Sequence, residues 1–209
     1  MRLHKSTFLW ISEKGCCRSV VEKRKTQAER RAETRQQVLD SACHLFGKNG
    51  YNNTSLEEIA SNCGLTTRPV YHYFGNKLAL FQAVNDVMVS RILDIQHQPR
   101  SGDKTSRFMA IWEAFLNLCD DPGFRQVVLI DSPTILGRER WKNSPVTARA
   151  ESLLLNHQQG SDGLFRQKLL SRMAIAAMAE AALMIAEAED IQQAKQEARE
   201  VVNLAINLL

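Results

Sequence analysis

From Thr34 to Lys77 the apolar residues fall into three short helical stripes separated by turn signals. Val38, Ala42, Leu45 and Phe46 recur at i, i+4, i+7 and i+8, which is one face of a first helix. Asn49-Gly50 ends it, a pair able to take the left-handed backbone that closes helices. Thr54-Ser55-x-x-Glu58 matches a capping box, in which hydroxyl and carboxylate satisfy free backbone donors at a helix start. Leu56, Ile59 and Ala60 give the second helix a single stripe. Gly64 breaks it, Leu65 plugs the turn, and Thr66 or Thr67 caps a third helix whose Val70 and Phe74 face inward. Two short helices joined by a glycine turn form a helix-turn-helix arrangement. The third helix then turns Thr67, Arg68, Tyr71 and His72 outward, a set of donors suited to base edges and phosphates.

Beyond Lys77 the period stays helical. Leu78, Leu80, Phe81, Val84, Val87, Met88, Ile92 and Ile95 make a broad stripe of about five turns before Pro99. A loop over Gln98–Lys104 precedes a helix from Thr105 to Cys119, which stops at Asp120-Asp121-Pro122. Phe124–Ile130 reads as a short apolar helix. Ser132-Pro133 reads as an N-cap followed by proline at the first helical position, opening a segment that ends near Gly137. Ser144-Pro145 repeats the signal for a helix over Val146–His157. After a loop at Gly160–Gly163, two final helices are predicted, Leu164–Glu187 and Ile191–Leu208. No segment alternates as a strand would, so the expected fold is all-α with about nine helices.

The last two helices have a surplus of apolar and small residues. Ala174, Ala176, Ala177, Ala179, Ala181, Ala182, Ala186 and Ala188 allow close helix approach. Ile191, Ala194, Ala198, Val201, Ala205 and Leu208 form a seam, and Val202, Leu204, Ile206 and Leu209 leave further apolar surface. A hairpin with more apolar surface than it can cover predicts a two-fold four-helix bundle, hence a homodimer through these helices. Burial inside one chain's own core is the plainer alternative.

Residues 1–25 lack periodicity and are expected to be an irregular or disordered extension, or to precede a true start near Val20 or Val21. Residues 22–35 hold six basic and three acidic residues with no apolar stripe. They read either as a frayed, solvated leader or as a basic arm touching phosphate or the minor groove. The expected division is therefore 1–25, a DNA-binding unit over 32–92, and a helical unit over 93–209.

Charge sharpens that division. Residues 1–85 carry 13 Lys and Arg against 7 Asp and Glu, while residues 86–209 carry 14 against 16. Only the front is expected to meet phosphate. The longest uncharged stretch is ten residues, Ser152–Ser161, which predicts no bilayer span. Phe8-Leu9-Trp10-Ile11 is too short for a secretion signal, so a cytoplasmic location is expected. The five cysteines, Cys16, Cys17, Cys43, Cys63 and Cys119, have neither disulfide nor zinc spacing, and a redox-sensing role for Cys119 or the Cys16-Cys17 pair is a minor alternative. His4, His44, His72, His97 and His157 are scattered. No nucleophile elbow, metal-spaced group or phosphate loop is present, so no catalytic residue, metal or cofactor is expected.

Gly47-x-x-Gly50-Tyr51-x-x-Thr54-Ser55, the Ile59-Ala60…Gly64-Leu65 pairs, Val70-Tyr71-His72-Tyr73-Phe74 and Asn76-Lys77 resemble the tetracycline-repressor (TetR) family of bacterial regulators over about residues 32–92. The resemblance implies DNA contacts from Thr54, Ser55, Thr66, Thr67, Arg68, Pro69, Tyr71, His72, Tyr73 and Lys77. Within that set Thr67 and Arg68 approach bases, and Tyr71 and Lys77 approach phosphate. It also implies a palindromic double-stranded operator and dimerisation through the last two helices. The segment Ile130–Trp141 resembles the linker of a subset of such proteins. On physical grounds, Phe108, Met109, Trp112, Phe115 and Leu116 are expected to face Ile135, Leu136, Trp141 and Met178 around a pocket for an apolar or aromatic effector. The expected function is a ligand-released repressor. A helical interaction protein, or an enzyme that keeps the fold without regulating DNA, is the alternative.

Overall fold

A computed structural model describes residues 25–154 and 164–207, all helical or loop, with no strand among them. The elements are α1 (Gln27–Asn49), α2 (Leu56–Asn62), α3 (Thr67–Phe74), α4 (Lys77–His97) and α5 (Lys104–Leu118). A continuous helical run follows, made of α6 (Pro122–Phe124), a π-helical turn over Arg125–Asp131 and α7 (Ser132–Ile135). Then come α8 (Arg138–Lys142), α9 (Pro145–Leu154), α10 (Leu164–Glu187) and α11 (Ile191–Asn207). Several expectations lie outside the described residues: the extension with Cys16 and Cys17, the helix end at His157, the loop at Gly160–Gly163, and Leu208 and Leu209.

The front of the molecule follows its local signals. Ser55 caps α2, its Oγ accepting from Glu58 N–H at 3.1 Å while Ser55 N–H donates to the Glu58 carboxylate at 2.7 Å. The hydrogen bonds that the Glu58 carboxylate accepts from Ser55 N–H and Ser55 Oγ hold its carboxyl below the usual range. Asn49-Gly50 does end α1, with Gly50 at φ 77°. One signal of the same kind carries α1 further back than the stripe suggests. Thr26 accepts from Glu29 N–H at 3.2 Å and donates its own N–H to the Glu29 carboxylate at 2.6 Å, a second capping box. The basic residues Arg30, Arg31 and Arg35 therefore ride on a capped helix rather than on a loose arm.

Three local signals act differently from the sequence expectation. Ser132 is not an N-cap. Its φ and ψ are −58° and −44°, and its N–H donates to Val127 O, five residues back, so the chain passes through it as helix. Phe124–Ile130 is likewise not a simple α-helix but mostly the π turn, a feature found most often as a single turn inside α-helices. Thr66 stands at the N-cap of α3 without a side-chain hydrogen bond. The Ser144-Pro145 signal holds, with Ser144 Oγ accepting from Thr147 N–H at 3.2 Å.

One core runs through the described residues, from Val38, Phe46 and Ile59 through Phe81 and Val84 to Trp112, Leu116, Phe124 and Ile185. Phe46, Tyr51 and Phe81 pack their rings together beneath the front three helices. The front and back meet where α1 crosses α6. A Cβ placed on Gly47 would lie 2.9 Å from Gly123 Cα, closer than real side chains approach backbone, so the glycine at 47 lets the helices touch. Next to this crossing Asp131, at the end of the π turn, accepts from Tyr51 N–H at 2.7 Å.

The segment Lys168–Glu187 is long and apolar enough to cross a membrane by length and composition, against the expectation that no segment is. Arg172 within it pairs with Glu151 at 2.7 Å, and Ala182 and Ile185 lie in the protein core. The seam of α11 also differs. Ile191, Ala194 and Ala198 pack on the chain's own core, but the next member is Val202, and Val201 points outward with Leu204. The spacing 191, 194, 198, 202 keeps to the 3.6-residue helical period, whereas 191, 194, 198, 201 requires the 3.5-residue heptad.

Candidate nucleic-acid interface and effector cavity

α2 and α3 meet at a tight turn. Gly64 sits at φ 69°, Gly64 N–H donates to Ser61 O at 3.0 Å, and Leu65 N–H reaches back to Ala60 O at 2.9 Å. This Schellman pattern closes α2 and starts α3 in a fixed direction. Val70 and Phe74 anchor α3 inward, and Ser41 Oγ on α1 donates to Ile59 O at 2.8 Å to hold α2. The pro-helix residue Pro69 falls in the first turn of α3, where its missing N–H has no helical partner to lose.

What this scaffold presents is a polar face. Thr66, Arg68, Tyr71 and His72 are exposed, Thr67, Pro69 and Tyr73 are half-buried, and the His72 and Tyr73 rings meet edge to face at 5.0 Å. Ser55, Tyr71 and Lys77 border one shallow groove beside the start of α2. Lys77 Nζ lies 4.3 Å from the Tyr51 ring centre and 3.5 Å from Asn52 O, so the ring and carbonyl fix its side chain. Thr54 lines the same groove, but its side chain turns inward. It is 1% exposed, and its hydroxyl donates to Gly50 O at 2.8 Å and to Leu45 O at 3.3 Å, tying the loop to α1 instead of facing solvent. A residue absent from the sequence-derived set is Arg35. It is exposed on α1, with its guanidinium 5.0 Å from the Phe74 ring centre, beside α3. The Thr26-x-x-Glu29 box that makes α1 a rigid support for Arg35 was the available signal.

The back half holds two neighbouring cavities. The inner one, about 80 Å³, lies between α4, α5, α9 and α10. Phe108, Trp112, Phe115, Trp141 and Met178 line it. Met109, Leu116, Ile135 and Leu136 do not line it. Leu116 is fully buried in the core, and the remaining three are partly buried against it. Their places are taken by Ile92 and Gln96 of α4, by Val146, Thr147 and Ala150 of α9, and by Ile175 and Ala179 of α10. The outer cavity, about 630 Å³, shares Trp141, Thr147, Ile175 and Ala179 with the inner one and is bounded by Val128 and Leu129 of the π turn. Its rim is charged, with Arg172 paired to Glu151 and Lys142 to Glu139.

Among the described residues no group of three His, Cys, Asp or Glu is placed to hold a metal ion. Burial pushes the Cys119 thiol up to about 12 and the Cys43 thiol to about 11, so neither supplies the thiolate that redox sensing uses.

Comparison with known proteins gives a consistent result. Residues 38–84 match the family described as bacterial regulatory proteins, tetR family. Residues 105–209, half of the chain, match the tetracyclin repressor-like C-terminal domain. The chain is similar to the HTH-type transcriptional regulator AcrR of Shigella flexneri, 40% identical over 86 residues that make up 40% of each chain. It is also similar to the HTH-type transcriptional regulator SrpR of Pseudomonas putida, 35% identical over 105 residues, 49% of this chain and 47% of that one. The chain thus spans less than half the length of these two curated relatives. A TetR-family transcriptional regulator from Pectobacterium atrosepticum, solved by crystallography, superposes with a TM-score of 0.65 at 26% identity, covering 86% of this chain and 95% of that one.

Proposed function

This chain belongs to the tetR family of bacterial regulatory proteins, and from that premise we propose that it is a sequence-specific DNA-binding repressor released by a small molecule. The observation that carries the proposal is the outer face of α3. Val70 and Phe74 hold the helix down while Arg68, Tyr71 and His72 remain free for a major groove. The DNA-binding unit spans residues 32–92 and the effector and dimerisation unit residues 93–209, acting in the cytoplasm where the DNA lies. Thr67 and Arg68 read base edges, and Tyr71, Lys77 and Arg35 meet phosphate.

Dimerisation is supported by the outward apolar face of α10 and α11, which has no partner within the described chain. Phe165 is 80% exposed, and Leu169, Met173, Met184, Val201 and Leu204 accompany it. Covering that face with the same face of a second copy places two α3 helices on one palindromic operator. Ligand in the cavities releases DNA by binding more tightly the arrangement of heads that does not fit the operator. A physical route exists, since Val128 and Leu129 border the outer cavity while Asp131 on the same turn holds Tyr51 of the head. A coupling of about 1–3 kcal/mol, or a 5- to 150-fold loss of affinity, is the expected size.

Selection of operator fragments from genomic DNA by the purified protein tests the reading, with Arg68→Ala as the sharper arm. That substitution is expected to remove about 1–3 kcal/mol of discrimination at one base position. Equal weakening on all sequences would make Arg68 a phosphate contact, and absence of salt-sensitive duplex binding would end the DNA-binding proposal.

A further inference from the structure

Two residues that line the inner cavity each hold a buried polar atom without a partner, Trp112 Nε1 and Gln96 Oε1. Trp112 is 3% exposed and Gln96 6%, so neither atom exchanges the missing bond for bulk water. The Gln96 amide is not free to flip. Its Nε2 donates to Val146 O at 3.3 Å, and rotation by half a turn would set oxygen against that carbonyl oxygen. The Trp112 indole N–H donates only. Thr147, the other polar side chain here, already donates its hydroxyl to Trp141 O at 2.8 Å. The residues around the cavity therefore hold one unpaired donor and one unpaired acceptor in an otherwise largely apolar lining that has no ionisable residue.

Natural interiors seldom leave such atoms bare. A space of about 80 Å³ has room for more than one water, hence for a small polar group of a larger molecule. The rest of that molecule has somewhere to go, because Trp141 and Thr147 wall both this cavity and the outer one.

We propose that the inner cavity is a binding site for a neutral carboxamide on an aromatic or apolar body, its oxygen accepting from Trp112 Nε1 and its N–H donating to Gln96 Oε1. This rests on the effector reading above and gives it a ligand class. A carboxylate has no donor for Gln96 and finds no cation in the lining, and a hydrocarbon leaves both atoms unpaired. The occupant touches α4 directly through Gln96, on the helix whose other end packs against α3.

Benzamide is the probe, titrated by calorimetry into the full-length protein beside benzoate and ethylbenzene. Benzamide should bind about tenfold or more tighter than either analogue, the size of one lost hydrogen bond. Trp112→Phe and Gln96→Leu should each weaken benzamide about tenfold and leave ethylbenzene unchanged or improved. Circular dichroism checks that each variant is folded, and the two substitutions lie on different helices, so failure of one to fold leaves the other. Ethylbenzene binding as tightly as benzamide, retention of benzamide affinity by a folded variant, or no benzamide binding into the millimolar range would overturn the proposal. Operator affinity, read separately, keeps the two readings apart. Hydrocarbon binding that releases DNA while benzamide does nothing sinks the carboxamide class alone. Benzamide binding that depends on Trp112 and Gln96 but leaves operator affinity unchanged upholds the site and sinks effector release.

Discussion

In the helices before Gln98 the large apolar side chains turn inward, whereas α10 and α11 leave many of theirs in solvent. Phe46, Ile59, Leu80, Phe81 and Val84 are fully buried, and Tyr71 lies exposed on the face proposed for DNA. On the back helices Phe165, Leu169, Met173, Met184, Val201 and Leu204 are all exposed. Contiguous apolar surface of this kind marks an interaction site, while single exposed residues such as Leu78 and Val87 are ordinary. The front thus packs a complete core within one chain, and the back leaves open the apolar face proposed above to take a second copy.

The contrast breaks most decisively at two phenylalanines. Phe46→Ala is expected to cost about 3–5 kcal/mol, because a fully buried ring leaves a cavity. Phe165→Ala, measured by urea unfolding at dilutions that hold the chain as monomer, should change stability by no more than about 0.5 kcal/mol. Equal losses would mean that the back helices are as self-sufficient as the front.

A somewhat smaller effect is expected from charging the outward face. The double change Val201→Glu with Leu204→Glu should give a folded monomer by light scattering at micromolar concentration. Operator affinity should then fall by about 10²-fold or more, since two heads no longer bind as a linked pair. Ala182→Glu differs in kind, because Ala182 is buried in its own chain and the substitution attacks folding. An unmodified protein that is already monomeric would remove the contrast altogether.

The smallest of the three concerns an ion pair that ties α11 to the loop after α5. Lys195 is 2% exposed and its Nζ lies 2.7 Å from Asp120, whose own side chain is half in water. The hydrogen bonds from Lys195 and Gln192 hold the Asp120 carboxyl below its ordinary value. A lowered folded pKa means the stabilisation is complete above the unfolded value of about 4 and is lost as pH falls through the folded one. Asp120→Asn should cost on the order of 2 kcal/mol at neutral pH, between exposed and buried pairs. Thermal melts between neutral and strongly acidic pH should also lose part of their acid slope, and an unchanged slope would locate the acid sensitivity elsewhere.

The front was legible because its instructions are local. The Ser55–Glu58 box, Gly64 and the Val70–Phe74 pair each act within one turn of helix, so reading them in order recovers α2 and α3. The inward turn of the Thr54 hydroxyl was not legible, because a threonine beside a cap looks the same whether it faces solvent or the carbonyls of Leu45 and Gly50. The start of α1 was missed although Thr26-x-x-Glu29 spells it out, since no apolar residue follows to draw attention. In the back half the signals are tertiary. Nothing in Arg125–Asp131 announces a π turn, and Ser132-Pro133 carries a start signal that the continuing helix overrides. Helical period put Phe108, Trp112, Phe115 and Leu116 on one broad face of α5 but did not show which of them border the cavity and which are core. Gln96 was passed over because a glutamine in an apolar stripe reads as an interruption, and its buried, unpaired oxygen shows only when α9 is in place.

The crossing of Gly47 over Gly123 bears on how such a protein can be recombined. A chimera joining the DNA-reading helices of one regulator to the sensing helices of another is naturally cut at the loop near Gln98–Asp103, where the chain is exposed. That cut leaves Gly47 on one parent and Gly123 on the other. A side chain contributed at position 47 forces the two parts apart by more than the contact tolerates. The tie between Tyr51 and Asp131 would be split by the same cut. The interchangeable piece is therefore discontinuous in sequence, residues 26–97 together with Pro122–Asp131, and a graft that respects it carries the joint along with the head.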